Sequence, residues 1–406
     1  METSLHILVV GQSPELKQDF ESALQGVSQY QCQTMYAHNF RHAEEFARNR
    51  RPNLIFVELN GDLVDLREFT TYVVRMLPET AIAGLYHPDQ FEADQSESAF
   101  ILQGVRSHVQ DFLRHPLSST EMRQVFDRLW LENKSQSTLP SLGHIVSFIS
   151  NKGGVGKSTI STNIACLLAT RHPGQVLLVD ASLQLGVCAV MLNFTPQTTI
   201  VDAIREKDRL DETLLRELTV PHDSGLSLLA APNNAAEASE VDEEAIYRVL
   251  NLARRTFRYV VVDTFPMLDS VVMAVLDLSR LTYIIMQGTA PNVIGTAKLL
   301  PILEGLGCPL ERQRLVLNQN YRDFVANLTQ AEIEERLVRE FDHAFPYQKK
   351  LLTAANLGEP YILQANRHFG FGRSAHGLVD EIEQVLPVAN AAKSDSSTNE
   401  TNPSSP

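Results

Sequence analysis

The chain has 406 residues, of which 44% are hydrophobic and 21% charged, and a formal net charge of −14 at pH 7. That length holds two or three domains with full cores, and the balance is that of an ordinary folded protein rather than a fibrous or disordered one. Such acidity repels nucleic-acid phosphates and anionic lipids, so direct binding to either needs a local basic patch; the clusters on offer, Arg254-Arg255 with Arg258 and Arg312 with Arg314, are expected to be solvated helix or strand ends.

The first ten residues carry no basic region, extended apolar stretch or small-residue cleavage site, and no run of about 18 apolar residues occurs anywhere, so a cytoplasmic location is expected. Residues 1–130 alternate β-rich runs at 6–10, 54–59, 81–86 and 109–113 with helix-like sequence, the first helix falling over 15–24. This alternation predicts a small doubly wound parallel sheet. Residues 131–143 are polar and contain Pro140 and Gly143, which predicts a flexible linker. A second α/β pattern spans 144–388, and the tail 389–406 has too little apolar content to fold. Four cysteines, Cys32, Cys166, Cys188 and Cys308, are too widely spaced to suggest a disulfide framework or a zinc site, and read as small buried residues.

The second pattern opens on Phe148-Ile149-Ser150-Asn151-Lys152-Gly153-Gly154-Val155-Gly156-Lys157-Ser158-Thr159. A β-rich run precedes the glycines, and Ile160, Ile164, Leu167 and Leu168 follow on one helical face. Strand, glycine loop and helix in that order aim a helix N-terminus at phosphate. Gly153, Gly154 and Gly156 let successive backbone N–H groups face anionic oxygens, Lys157 reaches the β- and γ-phosphates, and Ser158 offers a hydroxyl to Mg²⁺. Asn151 stands where the generic loop has glycine. Lys152 is a second lysine, poorly placed to duplicate Lys157 but placed to reach the phosphates of a neighbouring subunit. Two continuous apolar runs, 176–180 and 259–263, end in Asp180 and Asp263. Continuous apolarity marks strands buried on both faces, and an aspartate at the carboxyl end of such a strand can hold Mg²⁺ through water beside Ser158.

The double-lysine loop with Asp180 and Asp263 resembles the deviant Walker A ATPases, the MinD/ParA superfamily, over roughly residues 144–386. The resemblance implies ATP and Mg²⁺ as cofactors and a homodimer in which Lys152 crosses to the partner's ATP. It places Gly153, Gly154, Val155, Gly156, Lys157, Ser158 and Thr159 around the phosphates, Thr159 at the α-phosphate. Ser158 and Asp263, the Walker B acid, would hold the metal. Asn318, ending the run 314–318, would read adenine, and Pro346 with the following stretch 351–360 would line the base. The family pattern after the second strand is approximately Asp-x-Asp-x-Gln-x-Gly; here it reads Asp180-Ala181-Ser182-Leu183-Gln184-Leu185-Gly186. Ser182 thus replaces the aspartate that positions the attacking water. Lys152, Lys157, Asp180 and Ser182 form the candidate catalytic set, and slow hydrolysis is expected because a hydroxyl is a far weaker base than a carboxylate.

Residues 5–130 resemble a response-regulator receiver domain stripped of its chemistry. Gly11-Gln12-Ser13 stands in place of the acidic pair, Glu58 in place of the phosphoaccepting aspartate, Tyr86 at the fourth-strand hydroxyl and His115 before Pro116 in place of the lysine. A binding module is expected. A receiver-like (flavodoxin-like) doubly wound domain followed by a P-loop NTPase domain of the MinD/ParA type is the architecture of TadZ/CpaE-type pilus assembly proteins. That resemblance implies a nucleotide-dependent dimer at a cell pole or the inner face of the membrane, held there by pilus or secretion machinery proteins and polar factors. Membrane contact would be indirect and DNA contact absent. The alternatives are a ParA- or MinD-type regulator of another cargo, such as a plasmid, a division site or a flagellum, and an ATP-bound scaffold that never turns over.

Overall fold

The computed structural model describes residues 4–27, 31–59, 64–88, 97–135, 142–207, 209–322 and 328–387. Residues 136–141 of the expected linker and the tail from 389 lie outside them.

The first sheet contains β1 (Ser4–Val10), β2 (Gln31–Ala37), β3 (Leu54–Glu58), β4 (Ala81–Tyr86) and β5 (Asp111–Arg114), all parallel, in the order β2-β1-β3-β4-β5. This is the doubly wound order of flavodoxin-like sheets. The connecting helices are α1 (Leu16–Leu24), α2 (Phe40–Arg50), α3 (Val64–Met76), α4 (Glu97–Arg106) and α5 (Ser119–Ser135). Alternate residues of β1 feed opposite faces: Leu5, Ile7 and Val9 pack with Phe20 and Phe126 from α1 and α5, whereas Leu8 and Val10 pack with Ala43 and Phe69 from α2 and α3.

Strand β2 was absent from the expected elements. It is an edge strand paired only with β1, so its sequence Gln-Cys-Gln-Thr-Met-Tyr-Ala carries no continuous apolar signal. The last strand begins at Asp111 rather than at residue 109, because Val109 is buried in the turn before it. Helix α5 continues through Ser135, so residues 131–135 are helical rather than linker.

The second sheet contains β6 (His144–Ile149), β7 (Val176–Ala181), β8 (Val220–Pro221), β9 (Leu226–Leu229), β10 (Tyr259–Thr264), β11 (Leu281–Met286), β12 (Gln313–Asn318) and β13 (His343–Phe345). Their order is β13-β12-β11-β6-β10-β7-β9-β8, parallel throughout except that β8 runs antiparallel to β9. Every residue of β7, β10 and β11 is buried, which is why their sequences read as continuous apolar runs. Helix α6 (Lys157–Arg171) and the helix Gly370–Val385 cover one face, and the helices Glu243–Thr256 and Ser270–Leu278 cover the other. The carboxyl ends of β6, β7, β10 and β12 therefore converge on one edge.

The two α/β units meet along α2 and α3. Met76 joins the apolar core of the second unit, and Tyr72 and Leu77 touch the cores of both. Arg75 pairs with Glu243 at 3.1 Å and lies 4.1 Å over the ring of Tyr247. Arg254 and Arg312, expected to be solvated, are only 5% and 9% exposed. The packed junction closes over them: Arg312 donates to the backbone carbonyls of Leu276 and Ser279 at the end of the 270–278 helix. Arg314 is likewise no free cation, since its Nε donates to Glu381. Arg254 and Arg312 are therefore internal and Arg314 is paired, while Arg255 of the first cluster remains exposed.

Candidate functional site

The turn between β6 and α6 is held open by glycine chemistry. Gly154 and Gly156 adopt φ of 78° and 90°, and a Cβ built on Gly153 or Gly154 would meet no atom within 4 Å, so the loop borders open space on the side a side chain would occupy. Gly156 is also the N-cap of α6 without a side-chain cap, which leaves the first-turn N–H groups available to an anion. A side chain at Gly156 is excluded for a second reason: its Cβ would stand 2.2 Å from Asn318 Nδ2.

Lys157 sits in the first turn of α6 with only 7% of its surface exposed, and its Nζ lies 2.8 Å from Asp263 Oδ1 at the end of β10. Ser158 Oγ donates to Asp263 Oδ2 at 2.6 Å, and Ser161 Oγ donates to Asp263 Oδ1 at 3.1 Å. Asp263 is thus fully buried yet surrounded by one cation and two hydroxyls, which satisfies a charge that would otherwise be expelled. Asp180, on the adjacent strand, accepts from the backbone N–H of Ser182 at 3.1 Å and of Cys188 at 3.0 Å. Burial foremost, with Asp263 next to it, pushes the Asp180 carboxyl up to about 6. Cys188 is buried in the same pocket, its Sγ 3.8 Å from Asp263 Oδ2, and burial drives its thiol well above the ordinary range. Among the described residues, Asp180, Cys188 and Asp263 are the one cluster of such side chains whose ligand atoms lie within 4.8 Å of one another.

The donor set fits the expected nucleotide and metal. Hydroxyl and carboxylate oxygens at Ser158 and Asp263 suit a hard cation, whereas the neutral Cys188 thiol does not add to such a site. The uncapped first turn of α6 together with Lys157 suits phosphate oxygens.

Other expected residues fall in distinct places. Lys152 is exposed at the loop's start, Val155 is buried and Thr159 half-buried in the first turn of α6. Ser182 is buried beside Asp180. Asn318 and Pro346 come together at the sheet edge, since Asn318 is in register with Phe345 on β13. The Asn318 amide is occupied: its Nδ2 donates to Val155 O at 2.7 Å, so it clasps the loop.

Sequence reading missed the groups that pin the loop from behind. Asn151 Nδ2 donates to Asn292 O at 2.9 Å while Asn292 Nδ2 donates back to Asn151 Oδ1 at 3.0 Å. Gln287 and Asn320 both donate to Gly154 O, at 3.0 and 3.2 Å. The departure from glycine at Asn151 therefore has a structural use. Polar Gln287 directly after the apolar run 281–286 was the available signal.

In the first unit, Glu58 is buried and accepts from the backbone N–H of Gln12 at 2.8 Å, that of Ser13 at 3.1 Å and the Ser13 hydroxyl. His87 lies 4.0 Å away and stacks on His115 with ring centroids 3.8 Å apart. The position where a phosphoacceptor was sought is filled by a carboxylate that fastens the β1–α1 turn.

The model of a family described as an AAA domain matches residues 143–311. The septum site-determining protein MinD of Thermotoga maritima is 25% identical over 232 residues, covering 55% of this chain and 83% of that protein. Among solved structures, a ParA family ATPase from Chlorobium tepidum superposes with a TM-score of 0.54 at 22% identity, covering 58% of this chain and 98% of that one. MinD from Pyrococcus horikoshii, solved with Mg-ADP, gives 0.53 at 15% identity, covering 61% and 98%. These matches support the MinD/ParA ATPase superfamily and an α/β P-loop NTPase fold for the second unit. Among the described residues, no helix is long and apolar enough to cross a membrane.

Proposed function

We propose that this chain is an ATP-binding protein that dimerises on ATP and marks a position in the cell, with weak hydrolysis. The observation that carries the reading is the division of labour between the two lysines: Lys157 is buried on Asp263, while Lys152 is exposed at the mouth of the same loop. One lysine belongs to its own site and the other is left for a partner's. The loops and helix starts of the second unit carry exposed apolar side chains, Leu185, Val190, Met267 and Ile294, which favour coverage by a second copy. Ser158 and Asp263 would hold Mg²⁺, and Asn318 and Pro346 would border the base. ATP then joins two subunits, and its loss dissolves them.

The finer assignment is a TadZ/CpaE-type role in placing a Tad (Flp) pilus or related secretion machinery. It is supported by the flavodoxin-like sheet order of the first unit and by the replacement of phosphoacceptor chemistry with the satisfied Glu58. In that reading the first unit is an atypical receiver that binds partners, and membrane association is indirect. A ParA- or MinD-type regulator of another cargo uses the same switch. The internal use of Arg254 and Arg312 weighs against direct DNA binding. The test is the solution mass of the full chain with and without Mg-ATP, for the parent and Lys152→Ala. The parent should double in mass with ATP and Lys152→Ala should bind ATP as a monomer; equal masses in all four samples would overturn the switch.

A further inference from the structure

The helix Ser270–Leu278 links the two ends of the second unit. Its amino end follows Asp263 by a short turn and is capped by Asp269, whose side chain accepts from Val272 N at 2.8 Å. Nine residues later, about 13 Å away at 1.5 Å per residue, its carboxyl end meets the first unit. That end has no basic residue of its own in its last turn. Its orphan carbonyls and negative dipole end are instead met by arginines from elsewhere.

Arg51, the residue closing α2, donates through Nη2 to Asp277 O at 2.6 Å and to Ser279 O at 2.9 Å. It does so from the left-handed region, at φ 45°, a conformation that costs a non-glycine residue energy and persists only where contacts enforce it. Arg48, one turn earlier, places Nε 3.3 Å from Asp277 Oδ1 and 3.2 Å from the Tyr72 hydroxyl. Tyr247 donates to the other Asp277 oxygen at 2.6 Å. The 270–278 helix is buried on nearly every side, with Val271, Val272, Ala274, Val275, Leu276 and Leu278 all in the core, so it shifts as a rod or not at all.

We propose that Arg48 and Arg51 are positioning residues for the nucleotide site: the first unit holds the 270–278 helix by its carboxyl end and so fixes the turn that follows Asp263. The proposal rests on the nucleotide-binding reading above. Coupling of this kind is reciprocal, so nucleotide must tighten the grip of the first unit by the factor that the grip tightens nucleotide. Arg75 provides the comparison, because it secures the same junction through Glu243 on the neighbouring helix and reaches the 270–278 helix only at second hand, through the ring of Tyr247 whose hydroxyl donates to Asp277.

The experiment titrates the full chain with a fluorescent ADP analogue and Mg²⁺, for the parent, Arg48→Ala, Arg51→Ala, Arg48→Lys and Arg75→Ala. Hydrogen exchange of residues 40–77 is followed with and without Mg-ADP. Expected are a dissociation constant raised about tenfold, within the usual range of site-to-site coupling, in Arg48→Ala and Arg51→Ala. Arg48→Lys should restore much of the loss, Arg75→Ala should stay within about twofold of the parent, and nucleotide should slow exchange in residues 40–77. Should Arg51→Ala not fold, Arg48→Ala, which leaves Tyr247 on Asp277, decides alone. A parent that binds nucleotide while both alanine variants match it overturns the proposal, as does an equal loss in Arg75→Ala. A parent that binds no nucleotide overturns the functional reading instead.

Discussion

Asp180 and Asp263 face each other in register on adjacent parallel strands, both carboxylates buried at the edge where the phosphate loop begins. Lys157 and the two serine hydroxyls all turn to Asp263, so Asp180 is left with the backbone N–H groups of Ser182 and Cys188 and the neutral Cys188 thiol, and bears the greater cost of ionisation. Its carboxyl accordingly lies at about 6, raised by burial first and by Asp263 second. In the unfolded chain it ionises near 3.9. Between those values the folded state binds a proton that the unfolded state does not, so stability falls as pH rises from about 4 to about 6 and is level above. Denaturation midpoints across that window should show the fall, on the order of 1–3 kcal/mol at 1.36 kcal/mol per unit. Asp180→Asn should remove the slope.

Breaking the central pair has a larger effect. Lys157→Met leaves Asp263 charged and buried, a change that costs about 3–5 kcal/mol. Adding Asp263→Asn should recover part of this, giving a coupling of about 0.5–3 kcal/mol in a double-mutant cycle measured by urea unfolding. Additive losses would show that the pair is not the contact that matters.

Gly156 answers to two constraints at once, a positive φ and the approach of Asn318. Gly156→Ala should destabilise the chain by more than 1 kcal/mol and abolish nucleotide binding. Asn318→Ala in that background relieves the collision but not the backbone strain, so thermal unfolding should show partial recovery only.

The parts of the molecule that read clearly from sequence are those where one physical demand dominates. The glycines and lysines of the phosphate loop, and the apolar runs ending in Asp180 and Asp263, combine local chemistry with complete burial, and both leave unmistakable patterns. The edge strand β2 needs apolar residues only on part of its surface and leaves none. Arg254 and Arg312 were misread because an arginine cluster looks the same whether it faces water or another domain. Arg312 reaches the carbonyls of Leu276 and Ser279, 36 and 33 residues away, and Arg51 of the first unit reaches the same helix end across 226 residues, relationships that no local window contains. Asn151 and Asn292 pair across 141 residues for the same reason.

Ser182 sits where the resemblance expects an aspartate, buried and directly beside Asp180. Ser182→Asp should raise ATP turnover by at least tenfold, given that a positioned general base contributes on the order of 10²–10⁴, while Ser182→Ala should leave the slow parental rate nearly unchanged. Phosphate release under single-turnover conditions reads both. A fast parent, unaffected by Ser182→Ala, would remove the explanation for slow hydrolysis.

Glu58 accepts three hydrogen bonds from Gln12 and Ser13 and is closed to solvent, an arrangement that fastens the β1–α1 turn. Glu58→Ala strips two backbone donors of their acceptor inside the fold, at about 1–3 kcal/mol each. The expected outcome is a lower unfolding midpoint with ATP-dependent dimerisation retained below it. Glu58→Gln keeps one acceptor oxygen and should cost less. A carboxylate acting as a fixed signalling charge predicts the reverse ranking of readouts: Glu58→Gln would alter dimerisation or partner binding while stability stayed near the parent's. Measuring both quantities on both variants therefore separates an anchor from a signal, and the hydrogen-bond geometry favours the anchor.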